Sequence, residues 1–321
     1  MKSKIIDSGK NVVDLQIKAL KKLRNSIDQS FEKAVKEIKK CKSKIIICGV
    51  GKSGKIASKI SATLSSVGTP SFCISANDCS HGDLGRISKK DILILISYSG
   101  NTEELKDLIK YAKNIKITLI GIVSNKNSEL YKSADIKLLI PEVKESGYGI
   151  VPTSSTTTQL SLGDALAISL MMEKKFDKLD FKRFHPAGNL AKKLKTASEI
   201  MLTGNRIPFI NENEIMKNAI IKLNSKKLGF LVVVNNQAIT KGVFTDGDLK
   251  RLMQKKKSIK NYKIKSFITK SHYTVKENML ASDILVQMNK RKITCVCVHN
   301  TKNKNKTLGV IHIHSLLNIL R

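Results

Sequence analysis

The chain has 321 residues, of which 41% are hydrophobic, and its 58 Lys+Arg outweigh 26 Asp+Glu to give a formal net charge of +32. At roughly 150 residues per domain, this length predicts two domains or three small ones. The sequence has no run of 18 apolar residues, and its N-terminus lacks the apolar stretch of a signal peptide. These absences argue against a membrane span and against secretion, and predict a cytoplasmic protein.

The positive charge is spread along the whole chain. Lysines account for 51 of the basic residues, there is no Trp, and aromatic residues make up 5% of the chain. Proteins that read or stack on bases favour arginine and aromatic side chains, so we expect no nucleic-acid partner. A positive surface would still attract an anionic small substrate. The six cysteines form no CxxC pair, so neither a disulfide framework nor a zinc knuckle is predicted.

The first 40 residues are predicted to form an amphipathic helical arm. Apolar residues recur at helical spacing from Val12 to Ile38, with Lys and Asp between them. The Lys-rich polar face leaves a membrane-surface helix as an alternative. Packing on its own domain or on another subunit is favoured.

Five short apolar runs follow the arm, separated by intervals long enough for helices. This alternation predicts an α/β fold with a doubly wound, parallel, five-stranded sheet. Ligands of such sheets bind at the carboxyl ends of the strands, so the segments after the strands are candidate sites. The runs are Ile45–Cys48, Ser71–Ile74, Ile92–Ile96, Ile117–Ile122 and Ile136–Ile140.

Three segments rich in glycine or hydroxyl groups are candidate ligand sites. Gly49–Gly54 follows the first run, where a glycine turn and a helix start would expose N–H groups to an anion. Ser97–Thr102 follows the third run and places three hydroxyls around a glycine, which suits a phosphate monoester. Thr153–Thr158 places six hydroxyls before an apolar helix. A helix N-cap needs only one hydroxyl, so the excess favours a ligand surface. A tight turn or a helix cap is the structural alternative.

The last 120 residues contain an internal repeat. Gly242–Leu249 corresponds to Gly309–Leu316, and Ala219–Asn224 corresponds to Ile284–Asn289, with an apolar strand after each of the latter two. Two copies of a unit of about 60 residues are therefore predicted. The predicted division is an arm and sheet domain over 1–195, a first repeat over 196–258 and a second over 259–321.

In order and spacing, the motifs of the sheet domain resemble the sugar-isomerase (SIS) domain of arabinose-5-phosphate isomerases. The repeat resembles the tandem cystathionine-β-synthase (CBS) pair that such enzymes carry, so the resemblance covers nearly the whole chain. The segments that carry it in the sheet domain are Gly49–Gly54, Gly68–Ser71, His81–Gly85, Ser97–Glu104, Pro152–Thr157, Gly163–Leu166 and His185–Pro186.

The resemblance implies interconversion of D-ribulose 5-phosphate and D-arabinose 5-phosphate through an enediol, without a cofactor. This is the first committed step towards Kdo, a sugar of lipopolysaccharide. It also implies a homotetramer with its sites at subunit contacts. The alternatives are an isomerase of another ketose phosphate, a non-catalytic sugar-phosphate sensor, and an adenine-nucleotide sensor acting through the CBS pair. The sensor regulators carry a helix-turn-helix domain, which the sequence does not show.

By this resemblance the catalytic residues are Lys52, Glu104, Glu145 and His185. Moving a proton between C1 and C2 needs a base, an acid and a group that stabilises the oxyanion, and these side-chain types can supply all three. Proton transfer is assigned to Glu104 and His185, and charge stabilisation to Lys52. Glu145 is assigned to orientation or to a share of the base role.

The resemblance also names substrate-binding residues and shows two departures. Ser75 stands where the family often has a histidine proposed to bind zinc, so no metal site is expected. The stretch Glu145–Pro152 is one residue shorter than usual. The predicted substrate-binding residues are Gly51, Ser53, Gly68, Thr69, His81, Ser97, Ser99, Thr102, Ser154, Ser155 and Thr156.

In the repeat, Thr245 and Asp248 match positions that often hold the phosphate and ribose of an adenosine ligand. The second copy has His312 and Ser315 there, and a serine accepts two ribose hydroxyls less well than a carboxylate. An adenine-nucleotide site would therefore rest on the first copy. The alternative is a structural or oligomer-forming CBS pair.

Overall fold

The computed structural model describes residues 3–185, 194–255, 258–300 and 305–320. The chain divides into two compact units, Met1–Phe184 and His185–Arg321. The predicted three-part division is finer than this and stays a prediction. Within the described ranges, every helix is too short or too polar to cross a lipid bilayer.

The N-terminal arm consists of two helices, α1 (Lys4–Ser26) and α2 (Gln29–Lys40). One arm was predicted, and the break falls at Ile27 and Asp28, where the backbone is extended. The Asp28 carboxylate accepts a hydrogen bond from Ser30 N at 2.8 Å and so starts the second helix. Leu23 and Ile38 lie in the core of the first unit, so the arm packs on its own domain.

The first unit is built on a five-stranded sheet, as predicted. All strands are parallel in the order β2-β1-β3-β4-β5, and every residue of β1 and β3 is buried. Successive connections reverse direction between β1 and β3, so these neighbours form the switch point where ligands bind in open sheets. The strands are β1 (Ile45–Gly49), β2 (Ser71–Ser75), β3 (Ile92–Ile96), β4 (Thr118–Val123) and β5 (Ile136–Leu139).

Helices cover both faces of the sheet, because alternate strand residues supply two separate hydrophobic clusters. One cluster packs the arm, α3 and α7 on one face, and the other packs α4, α5 and α6 on the opposite face. The helices are α3 (Gly51–Ser66), α4 (Ala76–Cys79), α5 (Lys106–Ile115), α6 (Glu129–Ser133), α7 (Ser154–Glu173) and α8 (Lys178–Phe184).

The second unit contains two copies of one topology, which confirms the internal repeat. In each copy a short strand pairs parallel with a central strand, and the central strand pairs antiparallel with the next. A register shift falls near the end of the central strand in both copies, at Val233/Val234 and at Val298/His299. The elements are α9 (Ala197–Ile200), β6 (Phe209–Asn211), α10 (Met216–Lys226), β7 (Phe230–Val234), β8 (Thr240–Thr245), α11 (Asp246–Lys255), β9 (Thr274–Lys276), α12 (Ala281–Arg291), β10 (Cys295–His299), β11 (Thr307–His312) and α13 (Ile313–Leu320).

Candidate active site

The turn between β1 and α3 brings backbone N–H groups to the switch point. Gly51 has a φ of +58°, and a Cβ on Gly54 would lie 2.7 Å from the carbonyl oxygen of Gly49, so the turn needs glycine at these places. The first N–H groups of α3 have no acceptor within the helix and carry the positive end of its dipole. Lys52 is exposed in this first turn and Ser53 is half-buried. The turn can therefore bind an anion.

The loop after β3 forms a small hydroxyl cup. Ser97 is 3% exposed, and its Oγ accepts a hydrogen bond from Gly100 N at 2.9 Å. Ser97 Oγ and Thr102 Oγ1 lie 2.7 Å apart. Two hydroxyls carry two hydrogens and this contact uses one, so the other remains for a ligand. Ser99 is exposed and accepts from Asn101 N at 3.3 Å, which leaves its own hydrogen free to donate.

Glu104 follows the cup in a single-turn helix, Glu103–Leu105, and its side chain is exposed. Within the described part of the chain, the side chains of Glu104 and Lys52 take part in no hydrogen bond or ion pair. Both follow strands that are neighbours at the switch point. A carboxylate and an ammonium group at this place are suited to proton transfer and to holding negative charge.

Glu145 reaches the start of α7. Its Oε2 accepts from Thr153 N and Ser154 N, both at 2.8 Å, and its Oε1 accepts from Ser155 N at 3.1 Å. Burial raises the pKa of Glu145, but the hydrogen bonds from Ser155, Thr153 and Ser154 together lower it by more, so it lies below its ordinary value. A carboxylate held in this way is a weak base at neutral pH. The geometry therefore favours orientation over proton transfer for Glu145.

Helices α3 and α7 pack directly on each other on one face of the sheet. Gly163 in α7 packs directly on Ile60 in α3, and the Lys59–Asp164 ion pair joins positions 105 residues apart. Both helices run away from the carboxyl edge, and the C-terminal end of α7 is followed by Lys174, which contacts Thr69 at the amino edge. The starts of both helices and the hydroxyl cup therefore lie at the carboxyl edge of the sheet.

The hydroxyl segment Thr153–Thr158 was predicted to precede the helix, but the helix begins at Ser154, so the segment forms its N-cap and first turn. Ser154 is fully buried and its Oγ has no hydrogen-bond partner among the described residues. Thr156 Oγ1 donates to the Thr153 carbonyl oxygen at 2.9 Å, within its own helix turn. The N–H groups of this turn are occupied by Glu145. The segment is therefore mainly a helix cap, which is the structural alternative, and the predicted contacts of Ser154, Ser155 and Thr156 with substrate stay predictions.

Gly68 and Thr69 do not lie at the carboxyl edge within one chain. They precede β2, whose first residue Ser71 pairs with Ile45 at the start of β1, so they lie at the amino edge of the sheet. Lys174 Nζ donates to Thr69 Oγ1 at 2.8 Å and to the Gly68 carbonyl oxygen at 3.2 Å. Burial lowers the pKa of Lys174. Sequence reasoning missed Lys174, because nothing in its charged run distinguishes it from its neighbours.

His81 and Ser75 lie near the carboxyl end of β2. Ser75 Oγ accepts from Asp78 N at 3.4 Å and caps α4, so this residue has a structural use where the family often has histidine. His81 is exposed in the turn after α4. Among the described residues, no three His, Cys, Asp or Glu side chains come together in a way that could hold a metal ion. His185 is the first residue of the second unit, and its catalytic role stays a prediction.

The second unit has a cleft of about 570 Å³ between its two copies. Thr245 and Asp248 line it, together with Arg251, Tyr273 and Arg291. Asp248 Oδ2 accepts from Thr245 N at 2.9 Å and from Thr245 Oγ1 at 2.8 Å, and Arg251 pairs with Oδ1 at 2.5 Å. The Arg291 guanidinium lies 4.2 Å from the centre of the Tyr273 ring. The cleft can hold an anionic ligand with a flat group.

Comparison with known proteins places these features in a family. The SIS domain family matches residues 37–169 and the CBS domain family matches residues 264–321. The chain is 39% identical to Arabinose 5-phosphate isomerase KdsD of Yersinia pestis, over 97% of this chain and 94% of that protein. It is 38% identical to Arabinose 5-phosphate isomerase KdsD of Francisella tularensis subsp. tularensis, over 98% and 97%.

A solved structure shares the fold of the first unit. An E. coli CFT073 protein, solved in complex with arabinose 5-phosphate, is 36% identical, with a TM-score of 0.56 over 58% of this chain and 100% of that chain. The full-length relatives extend the likeness to nearly the whole sequence. The chain therefore belongs to the family of arabinose 5-phosphate isomerases.

Proposed function

We propose that the chain is an aldose–ketose isomerase that interconverts D-ribulose 5-phosphate and D-arabinose 5-phosphate. The observation that carries the proposal is the switch point, where the start of α3 with exposed Lys52 follows β1, and the hydroxyl cup with exposed Glu104 follows its neighbour β3. The relatives named for this activity, which match over nearly the full length, support the same substrate.

The phosphate is proposed to bind between the β1–α3 turn and the cup. The N–H groups of Gly51 to Ser53 supply fixed donors, and the hydroxyls of Ser97, Ser99 and Thr102 supply neutral ones. Neutral donors and a helix dipole hold a phosphate ester without an ion pair. Product can then leave readily.

The reaction moves one proton between adjacent carbons. In the direction of the aldose, a base removes a proton from C1 of the ketose while the C2 oxygen gains one, which gives the enediol. The proton then returns to C2, and the C1 hydroxyl proton is lost to form the aldehyde. We assign these transfers to Glu104 and His185, the developing oxyanion to Lys52, and orientation of the α7 start to Glu145.

The wider assignments rest on family membership. We propose a cytoplasmic homotetramer whose product feeds Kdo and lipopolysaccharide synthesis. Exposed apolar residues of the first unit supply candidate contact surface, among them Ile6 and Val13 on α1 and Met172 on α7. We also propose the boundaries 195/196 and 258/259 between the sheet domain and the two CBS copies.

The test is product formation from D-ribulose 5-phosphate by the purified full chain, followed by NMR, without added metal or nucleotide. We expect D-arabinose 5-phosphate, and at least about tenfold less turnover with D-xylulose 5-phosphate or D-fructose 6-phosphate. Turnover of another ketose phosphate instead would shift the substrate assignment. No turnover, together with thermal stabilisation by the sugar phosphate, would support the sensor alternative.

For the second unit we propose an adenine-nucleotide site in the cleft between the CBS copies, supported by Arg251, Arg291 and Lys292, which outnumber Asp246 and Asp248 in its lining. A bound phosphate would compete with Asp248 for Arg251. We expect AMP or ATP to raise the melting temperature of the wild-type chain, and Arg291→Ala to lose this shift. If neither nucleotide shifts the melting temperature, the CBS pair would have a structural or oligomer-forming role instead.

A further inference from the structure

Tyr98 has a rigid attachment at the carboxyl end of β3. Its carbonyl oxygen accepts from Ser124 N at 3.0 Å and from Ser124 Oγ at 2.7 Å, which ties it to the end of β4. Its ring is partly buried against the hydrophobic cluster beneath α3 and α7. Ser97 of the hydroxyl cup is its direct neighbour in sequence. The backbone and ring of Tyr98 are thus both held next to the cup.

The hydroxyl of Tyr98 reaches the segment that carries Glu145. Tyr98 OH accepts a hydrogen bond from Val143 N at 2.8 Å and donates to the Val143 carbonyl oxygen at 3.5 Å. A phenol hydroxyl can do both at once, because it has one hydrogen and free lone pairs. Val143 lies two residues before Glu145, whose carboxylate is bound to the start of α7.

We propose that Tyr98 is a positioning residue for the isomerase site, a role that rests on the proposed function. Its hydroxyl sets the spacing between the cup, which would hold the phosphate, and the start of α7, which the Glu145 carboxylate caps. The connection runs from the cup through Tyr98 and Val143 to Glu145 and α7. Hydrogen bonds join Tyr98 to Val143 and Glu145 to α7, and the chain through Lys144 joins Val143 to Glu145.

This role predicts an effect on turnover rather than on binding. The cup keeps its own hydrogen bonds among Ser97, Gly100 and Thr102 when the Tyr98 hydroxyl is removed, so the phosphate subsite stays intact. Val143 N–H then loses its acceptor, and the segment before Glu145 can shift. Reaction rates are sensitive to displacements of about 1 Å between substrate and site groups.

Tyr98→Phe tests the proposal, with Tyr111→Phe as the matched control. Tyr111 lies on α5, and its hydroxyl also donates to a backbone carbonyl, that of Ile87, at 3.5 Å on the opposite face of the sheet. We expect Tyr98→Phe to lower kcat about tenfold or more and to change KM less than about threefold. Tyr111→Phe should leave both within about twofold.

Amide hydrogen exchange supplies a readout that does not depend on turnover. We expect the Val143 amide to exchange faster in Tyr98→Phe and at the wild-type rate in Tyr111→Phe. An unchanged kcat in Tyr98→Phe, or an equal loss in both variants, would overturn the proposal.

Wild-type turnover is measured first, since its absence counts against the proposed function alone. In that case, calorimetric binding of D-arabinose 5-phosphate and the Val143 exchange rate decide the role of Tyr98. Faster exchange in Tyr98→Phe, with binding within about threefold of wild type, would support positioning. A wild-type exchange rate, or a larger loss of binding, would overturn it.

Discussion

Lys52→Ala is expected to lower kcat/KM about 1,000-fold without unfolding the chain. The side chain is exposed in the first turn of α3 and makes no hydrogen bond or ion pair within the described residues, so its loss should change stability by less than about 0.5 kcal/mol. We expect the Lys52 ammonium group to stabilise the oxyanion that develops on the substrate as the enediol forms. Removing one such stabilising group typically costs roughly two to three orders of magnitude. Steady-state kinetics with D-ribulose 5-phosphate would measure the loss.

The matched control for this variant is Lys55→Ala. Lys55 is exposed on the same helix, three residues further along, and its removal changes the net charge equally. We expect it to retain turnover within about twofold, which separates a local role of Lys52 from general attraction of an anion by the positive surface. If Lys52→Ala raised KM alone and kept kcat, Lys52 would hold the phosphate only. Near-wild-type kcat/KM would remove Lys52 from the site.

The sheet was predictable because its signal is local. Each strand is a short, mainly apolar run, and the observed strands differ from the predicted runs by at most one residue at an end. The place of the site at the carboxyl edge followed from the same pattern, since the carboxyl ends of the first and third strands must meet at one edge. The break in the arm was missed, because the apolar spacing continues through Ile27 and Asp28 while the backbone does not.

The contacts of Glu145 could not be predicted from the sequence, because they depend on how the chain returns from β5 to α7. The Glu145 carboxylate caps α7 by accepting from Ser154 N and Ser155 N, nine and ten residues further along the chain. A cap at this separation produces no recognisable spacing in the sequence. The link between Tyr98 and Val143 spans 45 residues and was hidden for the same reason. By contrast, the predicted strands already imply that Thr69 lies at the amino edge of the sheet. This position conflicts with a site in which Thr69 and Lys52 of one chain contact the same substrate.

The position of Thr69 at the amino edge leads to a second prediction, that one substrate site is built from two copies of the chain. Lys52 follows the end of β1 and Thr69 precedes the start of β2, its parallel neighbour, so at least about 13 Å of strand separates them. A pentose phosphate cannot bridge this gap along one sheet. If both residues contact the same substrate, they must come from different subunits.

Mixed oligomers test this arrangement. Lys52→Ala and Thr69→Val should each be strongly impaired alone. Co-expression of the two should restore activity in about a quarter of the sites of a random assembly, because a site is intact when Lys52 comes from a Thr69→Val subunit and Thr69 comes from a Lys52→Ala subunit. Each variant carries a different tag, so tandem purification isolates the mixed species before its turnover is measured.

The control pair is Lys52→Ala with Glu104→Gln, whose residues lie on the same edge of one sheet. Here every site contains at least one damaged group, provided that both residues come from one subunit, so no activity should return. Recovery in this pair would place Lys52 and Glu104 on different subunits. No recovery in the first pair would confine the site to one chain. Full activity of Thr69→Val alone would mean that the amino edge does not touch the substrate. Thr69 and its contact with Lys174 would then have a structural role.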